Sequence, residues 1–401
     1  KSFLQICRKL FCFLLTKYMI NITINISSCL YNKQILRGYF MTNREKEILE
    51  LISKNPMISQ KEVANILGIS RSSVAVHITN LMKKGYILGK GYIVTTKPYI
   101  TVVGGANVDI IGFPYNKIVM KDSNPGKTSI SLGGVGRNIG ENLARLGIDT
   151  RLITVLGKDT YGKLIMEEGS KIGLNMSDSL VISDEQTSTY LGILDEGGDM
   201  TLAVSSMDIF EKMTISFIEE KRDLIENSIL CIVDTNINIK TLEYMVTNFK
   251  VDFFLDTVST SKAKKVKDII GYFHTIKPNK LEAEMLSGIE INNEEDLKRA
   301  SYYFINKGVK RVFISLGEKG VYYSDGKVER HFASPKVKVA NATGAGDAFF
   351  AGLAYSYFND FSIDKTLAFS TGASIITLEN ENTINPNISP EKIEKKIKEM
   401  G

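Results

Sequence analysis

The first well-patterned stretch of the chain carries apolar residues at helical spacing in three successive segments. In "MTNREKEILELISKN" the apolar residues Ile48, Leu51 and Ile52 follow a Thr or Asn that can cap a helix. A second short helix is predicted in "ISQKEVANILGIS" and ends at Gly68, and a third is predicted in "SRSSVAVHITNLMKKG", capped by Ser70. The apolar face of the third helix consists of Val74, Ile78, Leu81 and Met82.

The segment after these helices, "YILGKGYIV", predicts a hairpin of two short strands around "GKG". Three helices with a tight turn at "GIS" and such a hairpin resemble a winged helix-turn-helix over residues 41–97. In that resemblance the third helix enters the major groove of DNA. The candidate DNA-contacting residues are Arg71, Ser72, Ser73 and His77 on this helix and Lys90 on the wing. The alternative is an interaction or dimerisation module without a nucleic-acid role.

From Tyr99 onwards, short apolar runs alternate with helical segments. Strands are predicted in "YITVVGGANVDIIG", "RLITVLG", "ILCIVDTNI", "DFFLDTVS", "TIKPN" and "RVFISLGEKGVYYS", and helices in "GRNIGENLARLG", "IKTLEYMVTNF" and "EEDLKRASYYFINKG". This alternation predicts an α/β fold with a mainly parallel sheet flanked by helices, in which ligands bind at the carboxyl ends of the strands. The polar residues at those ends are Asn107, Asp109, Asp234, Asn236, Asp256, Asn279 and Glu282.

A glycine-rich turn precedes a predicted buried helix at residues 341–354, "NATGAGDAFFAGLA". Glycine lets other atoms approach the backbone closely, and the free N–H groups and the dipole at a helix N-terminus attract anions. Asp347, in the first turn of this helix, would lie beside the anion. Taken alone, the stretch fits either an anion-binding turn or an ordinary helix cap.

The charge distribution divides the chain into the same small and large parts, with a basic segment in front of them. Residues 1–40 carry six Lys and Arg and no acidic residue, residues 41–97 have a balance of +5, and residues 98–401 have one of −6. A length of 401 residues, 43% of them apolar, favours two or three domains with a full core. The positive charge of the small module favours a nucleic-acid partner for it.

Three of the four cysteines precede residue 41, and Cys231 follows. A single cysteine excludes an intramolecular disulfide in the larger part and fits a reducing cytosol, so we expect a cytoplasmic protein. The apolar run near the beginning is broken by Arg8 and Lys9 and is too short to span a bilayer. We expect residues 1–40 to be an unstructured or upstream-translated extension, with a short interfacial anchor as the alternative.

Four blocks, in order along the chain, resemble the ribokinase-like (PfkB-type) carbohydrate and nucleoside kinases. They are "GGANVD", "GGVGRNIGENLARLG", "KPNKLEAEMLSG" and "NATGAGDAFFAGLA". The resemblance covers about residues 99–395 and implies a ribokinase-like fold over residues 98–401, preceded by the winged module. It also implies a β lid from segments near 110–131 and 187–206. Lids often pair in that family, so a homodimer through the lid is expected.

Within the family, residues 122–147, "DSNPGKTSISLGGVGRNIGENLARLG", are similar to the pseudouridine kinases. This resemblance implies ATP-dependent phosphorylation of the 5′-hydroxyl of pseudouridine. It gives Asp347 the role of base and makes an anion hole of the amides of Gly344, Ala345 and Gly346. The residues implied to hold ribose hydroxyls are Asn107, Asp109, Gly133, Gly134 and Asn138. The residues expected to contact the base are Ser123, Asn124, Thr187 and Thr189.

The resemblance also implies ATP and Mg²⁺. The expected nucleotide-binding residues are Ser315, Gly317, Thr343, Gly344, Gly346 and Ala373. Asn279 and Glu282 would share one helix face and organise water ligands of Mg²⁺, with an ordinary helix entry as the alternative. Asn341 stands where many members have an Asp near a monovalent cation. A neutral amide holds K⁺ less well, so K⁺ activation does not follow.

Two other functions stay open on the sequence alone. The first is a kinase of the same fold for ribose, fructose or adenosine, because the sequence defines the base pocket poorly. The second is a transcription regulator in which the kinase fold only senses a ligand. The presence of Asp347 and of the glycines before it favours an enzyme.

Overall fold

The computed structural model describes residues 41–89 and 98–400, which form two compact units that divide between Lys97 and Pro98. The expectations for residues 1–40 and for Lys90 lie outside the described residues.

The small unit consists of the helices α1 (Asn43–Lys54), α2 (Gln60–Leu67) and α3 (Arg71–Lys83). α1 and α2 each begin with a capping box, in which a Thr or Ser and a Glu three residues later satisfy each other's backbone N–H groups. α2 ends at Gly68, whose φ of 62° is a left-handed conformation that suits glycine. Met82 differs from the predicted apolar face of α3, because its side chain is 44% exposed whereas Val74, Ile78 and Leu81 are buried.

The large unit alternates strands and helices. Its strands are β1 (Tyr99–Val103), β2 (Asn107–Pro114), β3 (Gly126–Gly133), β4 (Asp149–Ile153), β5 (Val155–Gly157), β6 (Leu174–Asn175), β7 (Leu180–Ile182), β8 (Thr189–Leu194), β9 (Met200–Ser206), β10 (Cys231–Asp234), β11 (Phe253–Asp256), β12 (Thr275–Ile276), β13 (Arg311–Ser315), β14 (Val321–Ser324) and β15 (Glu329–Phe332). Its helices are α4 (Val135–Arg145), α5 (Thr160–Lys171), α6 (Ile215–Glu219), α7 (Arg222–Glu226), α8 (Ile239–Asn248), α9 (Thr260–Ala263), α10 (Lys280–Ser287), α11 (Glu294–Lys307), α12 (Ala345–Phe358), α13 (Ile363–Leu378) and α14 (Pro390–Met400).

The main sheet has the strand order β15-β14-β13-β12-β11-β10-β1-β4-β6. All neighbours from β13 to β6 pair in parallel, and β14 and β15 add an antiparallel edge. Buried apolar side chains fill both faces of this sheet, which is the reason that its strands are continuous hydrophobic runs. The predicted α/β fold with a mainly parallel sheet is confirmed.

Cys231 lies in β10, in the middle of this sheet, with its side chain fully buried. Burial raises the pKa of its thiol well above the ordinary value, because the thiolate would lose its hydration. In the described part of the chain it is a free cysteine.

The segment "YITVVGGANVDIIG" does not form the single strand that its apolar run predicts. It divides into β1, in the main sheet, and β2, in a separate sheet. Gly104 and Gly105 stand at the division, and the backbone N–H of Gly105 donates to Asp234 Oδ2 at 2.8 Å. At Gly105 a hydrogen bond to the Asp234 side chain thus replaces a backbone hydrogen bond to a neighbouring strand, and the chain leaves the main sheet there.

The separate sheet has the order β3-β2-β8-β9 and consists of the two segments expected as the lid. β2 pairs antiparallel with β3 and parallel with β8, and β8 pairs antiparallel with β9. One cross-strand row on this sheet is apolar and consists of Ile130, Ile110, Leu191 and Val204. Three of these side chains are 40–57% exposed, the exception being Ile110, so this face is an exposed apolar surface.

Candidate active site

The glycine-rich turn at residues 341–346 leads directly into α12, which begins at Ala345. Gly344 precedes it with a φ of 82°, and a Cβ added there would lie 1.9 Å from the backbone oxygen of Thr383. Only glycine fits this position, for both conformational and steric reasons. The first N–H groups of the helix have no intrahelical acceptor, so they are free to bind an anion.

Asp347 lies in the first turn of α12, mostly buried. Its Oδ2 accepts a hydrogen bond of 2.8 Å from Nδ2 of Asn138, which lies on α4. Burial, and then the negative charge of Asp256, raise the pKa of Asp347 to about 7, although Asn138 and Lys277 act in the opposite direction. A carboxyl that titrates near neutral pH is suited to accept a proton.

Asp109 and Asn107 lie on β2, which pairs with β3 immediately before α4. The Nδ2 group of Asn107 donates to Asp109 Oδ1 at 2.6 Å, and burial raises the pKa of Asp109. A Cβ on Gly133 would approach Asp109 Oδ2 to 2.3 Å. The structure therefore brings these residues into contact, and it needs a glycine at position 133.

Asp234 holds two glycine-rich segments together from the end of β10. Its Oδ2 accepts N–H groups from Gly105 and from Gly136, at 2.8 and 2.9 Å. Gly134 has a φ of 97°, and a Cβ there would lie 2.5 Å from the backbone oxygen of Gly105. The sequence places Asp234 at a strand end, but its role as an acceptor for two backbone segments is visible only in the structure.

Asn279 and Glu282 form a capping box at the start of α10, which is the alternative that the sequence leaves open. Asn279 Oδ1 accepts the N–H of Glu282, and Glu282 Oε2 accepts the N–H of Asn279, both at 2.9 Å. The hydroxyl of Thr257 also donates to Glu282 Oε2, at 2.6 Å. Two of these three bonds use Glu282 Oε2, and the third uses Asn279 Oδ1. The role of the two residues in Mg²⁺ binding, which would use Oε1 of Glu282 or the Asn279 amide, stays a prediction.

A cavity of about 960 Å³ opens beside the start of α12. Ser315, Gly317 and Gly346 line it, together with Thr371 and Ser374 of α13. A volume near 1,000 Å³ is at the upper end for small-molecule sites, so the cavity is large enough for a nucleotide.

Three expected nucleotide-binding residues do not line this cavity: Thr343, Gly344 and Ala373. Thr343 and Gly344 belong to the turn that shapes its edge. Ala373 is fully buried and packs in an apolar cluster with Phe369 and Ile393. The helical period places it on the opposite side of α13 from Thr371 and Ser374, which do face the cavity.

The four expected base-contacting residues are not brought together by their hydrogen bonds. Ser123 and Asn124 lie in the exposed loop between β2 and β3, where the Asn124 amide bonds to both backbone groups of Val119. Thr187 is buried and donates to Asp159 Oδ1 at 2.7 Å, which fixes the start of α5. Thr189 is half-buried at the start of β8, beside Val108 of β2. Asn124 and Thr187 thus have structural partners of their own.

Lys277 and Asp256 form a buried pair that the sequence analysis did not assign. Lys277 Nζ lies 3.4 Å from Asp256 Oδ2, and both side chains are at most 10% exposed. Burial opposes the charged ammonium, but the carboxylates of Asp256, Glu282 and Asp347 outweigh it and hold the pKa of Lys277 above its ordinary value. The signal was present in "TIKPN", where a Lys follows a buried strand at the ligand-binding edge of the sheet.

In the small unit, Arg71 and Ser72 are exposed at the start of α3, and Ser73 and His77 are half-buried. The N–H of Ser73 donates to the Ser70 hydroxyl and so takes part in the cap. Nδ1 of His77 is buried without a hydrogen-bond partner. Of the four expected DNA-contacting residues on α3, Arg71 and Ser72 are therefore the most exposed.

Within residues 41–89 and 98–400, no helix is long and apolar enough to cross a membrane. In the same residues, no group of three or more His, Cys, Asp or Glu side chains could hold a metal ion.

Comparison with known families divides the chain in the same way. The profile of the pfkB family of carbohydrate kinases matches residues 97–390, and that of a DNA-binding winged helix-turn-helix matches residues 41–87. The larger match covers the main sheet and the sheet β3-β2-β8-β9, and the smaller one covers α1 to α3.

Two relatives from Escherichia coli are similar at nearly equal identity. An uncharacterized sugar kinase, YeiI, is 38% identical over 87% of this chain and 97% of its own length. Pseudouridine kinase is 37% identical over 73% of this chain and 94% of its own length. The first match is longer than the kinase unit, so it includes part of the small unit.

Solved structures share the fold of the large unit. A protein assigned as a sugar kinase in Clostridium perfringens is 43% identical, with a TM-score of 0.70 over 76% of this chain and 97% of its own. Ribokinase of Arabidopsis thaliana is 22% identical, with a TM-score of 0.69 over 76% of this chain and 99% of its own. The second likeness concerns the fold alone.

Proposed function

The chain belongs to the pfkB family of carbohydrate kinases and is a sugar or nucleoside kinase, and we propose that its acceptor is pseudouridine, phosphorylated on the 5′-hydroxyl by ATP. The observation that carries the catalytic part is the hydrogen bond between Asn138 and Asp347. This bond joins Asp347, at the start of α12, to the block of residues 133–138, whose Gly133 contacts Asp109. The choice of pseudouridine is supported by the 37% identity with a pseudouridine kinase over 94% of that enzyme.

In the proposed reaction the acceptor oxygen attacks the γ-phosphorus of ATP, and the bond from that phosphorus to ADP breaks. Asp347 accepts the hydroxyl proton and keeps the oxygen in line. The N–H groups of Gly344, Ala345 and Gly346 stabilise the charge that develops on the transferred group. A pKa of about 7 leaves Asp347 half ionised at neutral pH, so it can serve as a base there.

The acceptor binds through its hydroxyl groups. The carboxylate of Asp109 can accept two hydrogen bonds from a vicinal diol, and Asn107 holds it in place at 2.6 Å. Asn138 contacts Asp347 and would hold an acceptor hydroxyl close to the base. The glycines at 133 and 134 allow the sugar to lie against the backbone.

ATP would occupy the cavity beside α12, with its phosphates towards Gly346 and its base towards α13. Mg²⁺ would neutralise the phosphates. Its waters would be held by Asn279 and by Glu282, whose bonds to Asn279 and Thr257 engage Oε2 and fix the orientation of Oε1.

A substrate panel tests the assignment. We would measure ADP release by the full chain with pseudouridine, uridine, ribose, fructose and adenosine, and with Asp347→Asn as the control. Turnover of pseudouridine at least tenfold above the others, lost in the variant, is the expected result. Turnover of another acceptor would contradict pseudouridine as the substrate. It would favour the second candidate, another sugar or nucleoside, which the nearly equal identity to the sugar kinase YeiI supports. Ligand binding without turnover would favour a ligand-sensing regulator.

We also propose that the small unit binds DNA through the start of α3. Exposed Arg71 and the positive balance of residues 41–97 support this proposal. Arg71→Ala should weaken binding to duplex DNA several-fold in fluorescence anisotropy. Lys61→Ala, an exposed lysine on α2, is the matched control and should have a smaller effect. Equal effects of the two variants, or no binding by the wild type at low salt, would contradict the proposal.

The apolar row on the lid sheet supports a homodimer, because a second copy would cover it. Leu191→Lys should then convert the dimer to a monomer in sedimentation velocity, whereas Lys127→Glu, off this row, should not. A monomeric wild type would contradict this proposal.

A further inference from the structure

Lys277 lies where the nucleotide cavity meets the start of α12. It follows β12 directly and is 8% exposed. Its side chain lines the cavity together with Asn279 and Ser315. A Cβ added at Gly346 would lie 3.7 Å from Lys277 Nζ, so the ammonium is adjacent to the proposed anion hole.

The ammonium has one close acidic neighbour and retains further donors. Its ion pair with Asp256 Oδ2 measures 3.4 Å, and an ammonium has three N–H donors. Asp256 lies at the end of β11, where the next residue, Thr257, donates to Glu282. Lys277 is therefore anchored from the side of the sheet, and its remaining donors are available towards the cavity.

The surroundings of Lys277 favour a cation. Asp256, Glu282 and Asp347 all lie near it, whereas a triphosphate brings further negative charge into the same space. The backbone N–H groups of α12 carry only partial charges. A full positive charge next to them would stabilise the charge that a loose transition state places on the oxygens of the transferred group.

We propose that Lys277 is a catalytic residue that binds the transferred phosphoryl group of ATP from the side of the cavity. This inference rests on the proposed kinase function and not on the identity of the acceptor. The proton of the acceptor hydroxyl goes to Asp347, the bond from the γ-phosphorus to ADP breaks, and Lys277 stays protonated throughout. The residue contacts the γ-phosphate in bound ATP and has no such contact in ADP.

The test compares the full chain with Lys277→Met, Lys277→Arg and Lys280→Met. Methionine keeps most of the length and apolar stem of Lys277, and Lys280 is an exposed lysine three residues further on that pairs with Glu284 at 3.7 Å. Calorimetry of ATP and ADP binding needs no acceptor. Lys277→Met should weaken ATP binding on the order of tenfold more than ADP binding, because a charge-assisted contact to the γ-phosphate is lost.

Turnover gives the second readout. With whichever acceptor is phosphorylated, kcat of Lys277→Met should fall on the order of a hundredfold while the acceptor KM stays within threefold, and Lys277→Arg should recover part of the loss. If Lys277→Met fails to fold, Lys277→Met/Asp256→Asn removes the unpaired buried carboxylate and is measured in its place.

Equal losses of ATP and ADP affinity, or a kcat within threefold of the wild type, would overturn the role of Lys277. A wild type that binds neither nucleotide would instead overturn the proposed function, and the role of Lys277 with it. An effect of Lys280→Met as large as that of Lys277→Met would also overturn it, because any local loss of positive charge would then suffice.

Discussion

Replacing Asp347 by Asn should stabilise the protein, and by an amount that depends on pH. The pKa of Asp347 rises from 3.8 to about 7 in the folded chain, because burial and Asp256 disfavour the carboxylate. A carboxyl with a raised folded-state pKa contributes stability below its unfolded pKa, and this contribution is lost as the pH rises through the folded-state pKa. Above pH 7 the folded protein therefore holds a costly ionised carboxylate, whereas Asn is neutral at every pH.

The magnitude follows from the shift. About three pKa units at ~1.36 kcal/mol each give an upper limit of about 4 kcal/mol. Asp347 keeps some exposure to solvent, which screens its charge, so about half of this limit is the expected gain at pH 8. The side-chain oxygen of Asn can still accept the hydrogen bond from Asn138, so the Asn138 donor keeps its partner.

The assay is urea unfolding of the wild type and Asp347→Asn at pH 5, 6, 7 and 8, followed by circular dichroism because the chain has no Trp. The stability difference between the two proteins should increase by at least ~1 kcal/mol from pH 5 to pH 8. Asp122→Asn, in the exposed loop after β2, is measured alongside as the matched control. A difference that is the same for Asp347→Asn at pH 5 and pH 8 would refute the argument.

Three further results are expected from the same geometry. In the wild type, kcat/KM for the acceptor should rise about tenfold from pH 6 to pH 8, since only ionised Asp347 accepts the proton; a flat profile would argue against it as the base. Gly133→Ala should raise the acceptor KM more than tenfold with little change in the ATP KM, because a Cβ 2.3 Å from Asp109 Oδ2 displaces that carboxylate. Steady-state kinetics with each substrate varied in turn measures the two KM values, and an equal change in both would contradict the prediction. Replacing Na⁺ by K⁺ should change turnover less than twofold, because the Asn341 amide is engaged by the N–H of Thr343 and the backbone oxygen of Glu381; a larger stimulation would show a cation site of another composition.

Most helices and strands were predictable because each has a local pattern in the sequence. Caps such as Ser59 and Ser70 mark the small helices, and the buried parallel strands are short continuous apolar runs. The break in "YITVVGGANVDIIG" was not predictable from its pattern. It depends on Asp234, more than a hundred residues later, which accepts the N–H of Gly105. An apolar run does not indicate which sheet each half of it joins.

The candidate site was partly predictable for a similar reason. Asp109, Asn138 and Asp347 belong to distinctive blocks, and the structure places Asn138 against Asp347 and Gly133 against Asp109. Polar residues in loops have no such distinctive block around them, because a Thr or Asn in a loop can hydrogen-bond to the backbone as well as to a ligand. Thr187 illustrates this, since its hydroxyl joins Asp159 and Gly157.

The buried position of Cys231 makes the labelling rate of its thiol a measure of how often the kinase unit unfolds. Its thiol lies in the centre of the main sheet, and a labelling reagent can reach Sγ only when β10 separates from its neighbours. The rate of slow alkylation therefore counts rare unfolding events under native conditions. Any nucleotide or acceptor that binds only the folded unit must slow that rate by the factor 1 + [L]/Kd, so one cysteine can rank ligands before any product is assayed.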